Sequence, residues 1–296
     1  MRYMLAEAWQ IAQRDMKHYF RRRIQFATSL ITPLVWLIFF GFAFNGGMPL
    51  YNLSDNVQDL PGIISLLLLF LPSSPIKYVL LNIFSVNYID FYASGVVAAS
   101  VMFMAAFSGT SIFWDKRMGF LTKLLVSPIP RTSIILGKTT STVLRSLIQG
   151  VIMLALIPLI GVKINTGFYV LFTIPFLILL IMGFSAISTA IGLKIAGHEF
   201  FELINLFLMP IFFVSGAIIP VETMPSWLQA IAQYNPLTYT VDAIRKLILG
   251  GELGPLGGNF SLMGIFPSLL FDALVLLLFL TASLSIAVIV ARKALI

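Results

Sequence analysis

The sequence has no cysteine, only two histidines, and few charges of either sign: Asp, Glu, Lys and Arg make up 10% of its 296 residues. The first absence excludes disulfides, thiolate metal sites and cysteine nucleophiles. The second removes the usual ligands of a hydrolytic metal. Gly197 to Glu202 begins like a helical zinc motif, but Glu202 stands where a second histidine is needed. Around Ser185 the run G-F-S-A-I lacks the second glycine of a nucleophile elbow. The scarcity of charge, against about a quarter in soluble domains, excludes an ordinary soluble domain. What fills the chain instead is 59% hydrophobic residues, with a mean hydropathy of +0.97.

Six apolar runs approach the roughly 20 residues that cross a hydrocarbon core: about Ile24–Phe44, Phe91–Trp114, Thr139–Gly161, Phe168–Leu193, Phe200–Ile219 and Ser268–Ala291. Backbone groups in lipid must bond within their own segment, so these are expected to be helices. The first twenty residues are polar and basic and do not read as a cleavable signal, so the N-terminus is expected to be retained. With that end inside, fourteen of the nineteen basic residues fall on inner segments: Arg2, Arg14, Lys17, Arg21, Arg22, Arg23, Lys116, Arg117, Lys123, Arg131, Lys138, Lys194, Arg292 and Lys293. Lys77, Lys163, Arg245 and Lys246 fall outside, and Arg145 lies within a span. The asymmetry places both termini in the cytoplasm and accounts for the net charge of +7 without nucleic acid.

Residues 1–23 form one unit, with Leu5, Ala8, Trp9, Ala12, Met16, Tyr19 and Phe20 on one helical face and Glu7, Gln10, Arg14, Lys17 and Arg21 on the other. That pattern predicts an amphipathic helix on the inner membrane surface. Residues 24–296 form a single transmembrane domain. Within it, 45–90 is an outer insertion whose apolar stretch Ile63–Leu71 is too short to cross and is stopped by Pro72 and Pro75. Residues 220–267 form an outer region of two short, interrupted helices, anchored by Trp227, Tyr234 and Tyr239.

Residues 115–138 make the one sizeable inner loop. Met118–Val126 has the length of two helical turns, with Phe120, Leu121, Leu124 and Leu125 on an apolar face beside Lys116, Arg117 and Lys123. Pro128 stops it after Ser127. Gly137-Lys138-Thr139 resembles the end of a phosphate-binding loop, but Thr132 replaces the first glycine, and Pro128 and Pro130 stand where a buried strand belongs. Lys138 reads instead as the inner lipid boundary of the third span. Among charges within or near spans, Arg145 is placed either to pair with Glu199 or Glu202 or to snorkel, and Asp272 faces either a cavity or the outer interface. Small pairs at four-residue spacing, Ala105/Gly109, Ser185/Thr189 and Gly192/Ala196, permit close helix packing.

The stretch "GTSIFWDKRMGFLTKLLVSPIPRTSIILGK" resembles the segment between the second and third spans of type-2 ABC exporter membrane subunits, the drug-resistance, lipo-oligosaccharide and polysaccharide export permeases. The later run "MPIFFVSGAIIPVETMPSWLQAIAQYNPLTYTVDAIRKLILGG" is similar to that family's fifth span and outer re-entrant helices, including Ser215-Gly216, Asn235-Pro236 and Arg245. The likeness covers about Phe91 to Ile296. It departs at the long outer link 45–90, and at Arg117-Met118, where an acidic residue commonly precedes the glycine. The resemblance implies an all-α membrane protein of six transmembrane helices with an N-terminal interfacial helix, a cytoplasmic coupling helix and outer re-entrant helices.

It further implies a transport subunit of the cell membrane that is not itself an enzyme, works as a homodimer or with a paired membrane subunit among membrane lipids, and docks a separate ABC ATPase. The docking residues would be Asp115, Lys116, Arg117, Gly119, Phe120, Leu121, Leu124, Leu125, Ser127 and Pro128. No cofactor is expected on this chain, ATP and Mg belonging to the partner. The substrate implied is a hydrophobic or amphipathic drug, lipid or glycan. An ATP-independent secondary carrier is the alternative, but it calls for central coupling charges and two related halves, and no repeat is evident.

Overall fold

The computed structural model describes residues 2–47, 88–120, 126, 131–162, 167–195, 198–221, 224–249 and 262–294. Most of the outer insertion and of the coupling helix, including Leu121, Leu124, Leu125, Ser127 and Pro128, lies outside them. The described residues are helical throughout their regular elements: α1 (Arg2–Arg21), α2 (Arg23–Gly47), α3 (Tyr88–Ala106), α4 (Thr110–Arg117), α5 (Arg131–Leu156), α6 (Thr173–Lys194), α7 (His198–Val214), α8 (Ser226–Ala232), α9 (Pro236–Leu249) and α10 (Leu262–Ala294). One 3-10 turn, Phe107–Gly109, joins α3 to α4, and others flank α5 and α6.

Five segments among these residues are long and apolar enough to cross a membrane: Arg23–Gly41, Tyr88–Arg117, Leu136–Ile160, Gly167–Lys194 and Pro267–Val290. The chain is thus a multi-pass membrane protein. The expected fifth of six spans, Phe200–Ile219, corresponds to α7, which has 17 residues and ends at Val214. At 1.5 Å per residue it is about 25 Å long.

Helix α3 is the centre of the bundle. Almost every residue from Tyr88 to Ala106 is buried, with α2, α5, α6 and α9 packed around it. A helix apolar all round belongs in such a position. By contrast α10 buries Leu269, Leu276, Leu280 and Ala287 against the bundle and exposes Phe271, Leu274, Leu278 and Ile289, as a helix bordering lipid does.

Close approach is built from small residues. A Cβ on Gly192 would stand 2.8 Å from the Gly109 carbonyl oxygen, so α6 touches the 3-10 turn backbone to backbone. There the Gly109 N–H donates to Ser188 Oγ at 2.8 Å, and Ser188 Oγ donates to the Ala106 carbonyl. Hydroxyls thereby satisfy the backbone where the α-helical ladder of α3 is interrupted. Of the spaced small pairs, Gly109, Ser185 and Gly192 lie in this seam; Ala196 is outside the described residues.

After α7 the chain turns back through Ser215 and Gly216, the latter at φ 77°, a left-handed conformation that favours glycine. The signature residues hold this return. Asn235 Oδ1 accepts from the Leu237 N–H at 3.0 Å as the N-cap of α9, with Pro236 following it as the first helical residue. Asn235 Nδ2 donates to the Ile211 carbonyl of α7 at 2.7 Å. Arg245 of α9 donates to the Gly216 carbonyl at 2.9 Å and lies 3.7 Å from the centre of the Phe91 ring.

Candidate functional site

Two neighbouring arrangements occupy the end of the bundle where α1 lies. One is a closed knot of charge. Lys138 Nζ on α5 donates to Asp15 Oδ2 on α1 at 2.8 Å and pairs with Asp115 on α4. Arg14 Nη2 bonds Asp15 Oδ1 at 2.8 Å and Asp115 Oδ2 at 2.9 Å. Two acids and two bases sum to zero, so each buried charge meets opposite ones on both sides.

Burial alone would push the Asp15 carboxyl up. The Lys138 ammonium and the Arg14 guanidinium outweigh it and hold the group below its ordinary value. Burial would likewise lower Arg14, but Asp15 and Asp115 raise it.

The geometry that permits the knot begins with Gly137. A Cβ there would sit 2.7 Å from the Ala8 carbonyl oxygen and 2.8 Å from Ile11 Cβ. Only glycine lets α1 lie this close to α5. Helix α1 accordingly buries Ala8, Ile11, Ala12, Asp15 and Tyr19, a stripe at helical spacing turned away from the purely apolar one.

Trp9 and Phe20, on the apolar face expected to meet the membrane surface, are exposed. The reason is that α1 serves two surfaces: α5 takes the stripe containing Asp15, and part of the apolar face is left outward. Lys138 stands at the edge of the span Leu136–Ile160, as expected of a boundary residue. It faces α1, however, 3% exposed and held by two carboxylates, and Gly137-Lys138 answers to helix docking, not to phosphate.

The expected docking residues divide around this knot. Asp115 is inside it. Lys116, Arg117 and Met118 are exposed, and so is Val126 further along. Gly119, at φ 69°, ends α4 in the left-handed cap, where its N–H bonds the Lys116 carbonyl. Phe120 then returns to the knot, its ring centre 3.8 Å from the Arg14 guanidinium carbon.

The second arrangement is a cavity of about 500 Å³, within the range of small-molecule sites. Its walls come from α1, α2, α3, α5 and α7. Toward α1 they are polar: Tyr19, Thr28, Ser29, Thr142, Arg145 and Gln149. Toward the far end they are apolar: Trp36, Val96, Phe103, Met209, Phe212 and Phe213.

The wall between α2 and α5 has a specific origin. Pro33 has no N–H, so the Ser29 carbonyl four residues earlier loses its helical donor. Gln149 Nε2 replaces it at 2.9 Å. Tyr19 Oη meets Ser29 Oγ at 2.9 Å and brings α1 to the same point.

The remaining charges settle on partners close at hand. Arg145 pairs with neither Glu199 nor Glu202, both of which are exposed on α7. It folds back on α5, with Nε donating to the Ser141 carbonyl at 3.2 Å and Nη2 to Thr142 Oγ1 at 3.4 Å, and it faces the Tyr19 ring at 5.7 Å. The Glu pair fails because their face of α7 turns away from α5. Asp272 is buried and accepts from Lys246 of α9 at 3.4 Å, which ties α10 to the return segment.

Sequence reasoning passed over Asp15, Gln149 and the Pro33–Ser29 gap. The legible signals were an acid set between Ile11 and Tyr19 on a mostly basic helix, and a proline within a span.

Three relatives are similar over much of the chain. A protein of Pyropia yezoensis named as a transport permease, ycf38, is 30% identical over 249 residues, 82% of this chain and 74% of that protein. The daunorubicin resistance ABC transporter permease protein DrrB1 of Streptomyces coeruleorubidus is 24% identical, covering 83% of this chain and 75% of its own. Nodulation protein J of Sinorhizobium fredii is 26% identical over 184 residues, 61% of this chain and 70% of that protein. The profile of the ABC-2 type transporter family matches residues 6–249, from the helix that carries the charge knot to the helix that carries Arg245. On that match and on its membrane-spanning helical architecture, the chain belongs to the ABC-2 type transporter family, as one of its membrane-spanning permeases.

Proposed function

We propose that this chain is the membrane subunit of an exporter, driven by a separate ABC ATPase that binds the cytoplasmic surface around Lys116, Arg117, Met118 and Val126. The observation that carries the reading is the charge knot: it welds α1, α4 and α5 into one unit directly behind that exposed surface. A push delivered there moves three helices together, because breaking a buried network of this kind costs several kcal/mol. ATP and Mg reside on the partner, and this chain supplies the path.

The positive-inside asymmetry supports cytoplasmic termini, a cytoplasmic-membrane location and a six-span count in which α7 crosses together with the turn at Ser215-Gly216. A second membrane chain, homologous or identical, completes the path beside the cavity that α2 and α7 wall. The substrate is then a hydrophobic or amphipathic molecule that enters that cavity and leaves on the outer side.

The absence of native cysteine makes the test direct. Met118→Cys, in the chain co-expressed with the candidate ATPase, is expected to crosslink to it through a short thiol linker in an ATP-sensitive manner, while a control Ser54→Cys does not. Labelling of Met118→Cys by an impermeant reagent from outside intact cells, with no ATPase crosslink, would overturn the reading.

A further inference from the structure

Resting on the proposed function, we infer that the cavity selects an acidic amphipath: a long apolar body against the aromatic walls, and a head that puts an anionic oxygen on Arg145. Arg145 is always charged, and it makes no ion pair with a described carboxylate. Its two hydrogen bonds occupy two of five N–H donors and go to neutral oxygens. Asp15 acts on Arg145 only through its charge, without a hydrogen bond, and is already bonded to Lys138 and Arg14.

An unpaired cation within a span costs several kcal/mol and usually faces water or a ligand. Here it faces a cavity that no described Asp or Glu lines.

Gln149 beside it belongs to the joint between α2 and α5, and its enclosed oxygen is not a contact for the head group. It lies one turn beyond Arg145 on the same face of α5. Its amide orientation is fixed because Nε2 must donate to the Ser29 carbonyl. Oε1 is therefore a buried acceptor, and it has no partner among the described residues.

A guanidinium with spare N–H donors at the polar end of the cavity describes an anionic head group, such as an acylated amino acid or a phosphate monoester. The aromatic end, with Trp36, Phe103 and Phe212, takes the apolar body. The same field disfavours an amphipathic cation: among the described residues no carboxylate lines the cavity to meet it, and the guanidinium repels it.

The probe is a long-chain N-acylglycine carrying a diazirine near the chain end, matched with an alkyltrimethylammonium of the same chain and label. Both are photolysed with the full chain in phosphatidylcholine nanodiscs at equal membrane loading, and the adducts are mapped by peptide mass spectrometry. The acidic probe is expected to label cavity walls about tenfold more than the ammonium probe. Arg145→Lys keeps most of that preference and Arg145→Gln abolishes it, with thermal unfolding confirming that both variants are folded.

Equal labelling by the two probes, a preference for the cation, or a preference that survives Arg145→Gln overturns the inference. Added phosphatidylglycerol separates the sources: competition assigns the site to an anionic bilayer lipid, and none assigns it to a free acidic amphipath. The Met118→Cys crosslink is read in parallel. Its persistence when the probes fail to discriminate would discard the acidic substrate and leave the exporter assignment standing.

Discussion

The charge knot and the Arg145 site lie two helical turns apart on α5, and they treat a buried cation in opposite ways. Lys138 is met by two carboxylates from two other helices; Arg145 is met by a carbonyl, a hydroxyl and a ring. The first arrangement is complete, and removing any member leaves an uncompensated charge. The second is incomplete, and removing its cation leaves less to compensate. Completeness marks a structural joint, and incompleteness marks a place prepared for something else.

The largest expected effect comes from opening the complete site. Lys138→Met leaves Asp15 and Asp115 buried beside a single Arg14, which on the usual cost of breaking a buried pair destabilises by about 3–5 kcal/mol. The folded yield after size-exclusion chromatography and the unfolding midpoint in detergent report it. A midpoint within a degree of the wild type would show the knot to be dispensable.

Next is Gly137→Leu. Its side chain must displace Ala8 and Ile11, at about 1–3 kcal/mol for an overpacked contact. A cysteine pair spanning α1 and α5 should then crosslink more slowly. Gln149→Leu ranks third, because the Ser29 carbonyl left by Pro33 loses its donor at about 1–3 kcal/mol. In that background Pro33→Ala, which restores the helical N–H, should recover part of the loss.

Acid provides a graded version of the first experiment. The Asp15 carboxyl is held below its ordinary value, so its contribution is fully present above the unfolded carboxylate value of about 3.9 and is lost as pH falls through the lower folded value. Stability is expected to be flat from neutral pH down to about 5 and to decline below about 4. In Lys138→Met the decline should begin at higher pH, since the ammonium that lowers Asp15 is gone.

The smallest effect on stability should be that of Arg145→Gln. Two hydrogen bonds to neutral oxygens are lost, but so is the cost of an unpaired cation, and the net change should fall within about 1 kcal/mol. Its transport phenotype should be severe all the same. A large loss of stability there would place Arg145 with the knot and collapse the contrast.

The docking region was legible in its charges and not in its turn. Lys116 and Arg117 read as polar from neighbours a few positions apart and are exposed, but the helix expected over Met118–Val126 does not begin at Met118: α4 ends at Arg117 and Gly119 turns left-handed at φ 69°. The pairing of Arg145 with Glu199 or Glu202 was not decidable that way. Those acids sit on α7, and which way its face turns depends on how α7 packs, not on its own spacing.

Lys138 was legible in position and not in partner, for a related reason. A lysine at the edge of an apolar run is a boundary residue by default, and it became a buried one only because α1 folds back over it. The stripe on α1 shows the same limit, since Asp15 joins the buried face for the sake of a partner more than a hundred residues away.

By itself the sequence determined that this chain crosses a membrane repeatedly, and that most of its charge gathers in the polar segments between the apolar runs. Hydropathy and charge act along the chain, residue by residue, so a linear reading captures them. Only the tertiary structure decided which charges are spent and which are spare. That difference is set by distances of about 3 Å between helices that the sequence does not place side by side, and a buried charge has no settled role until its partners are known.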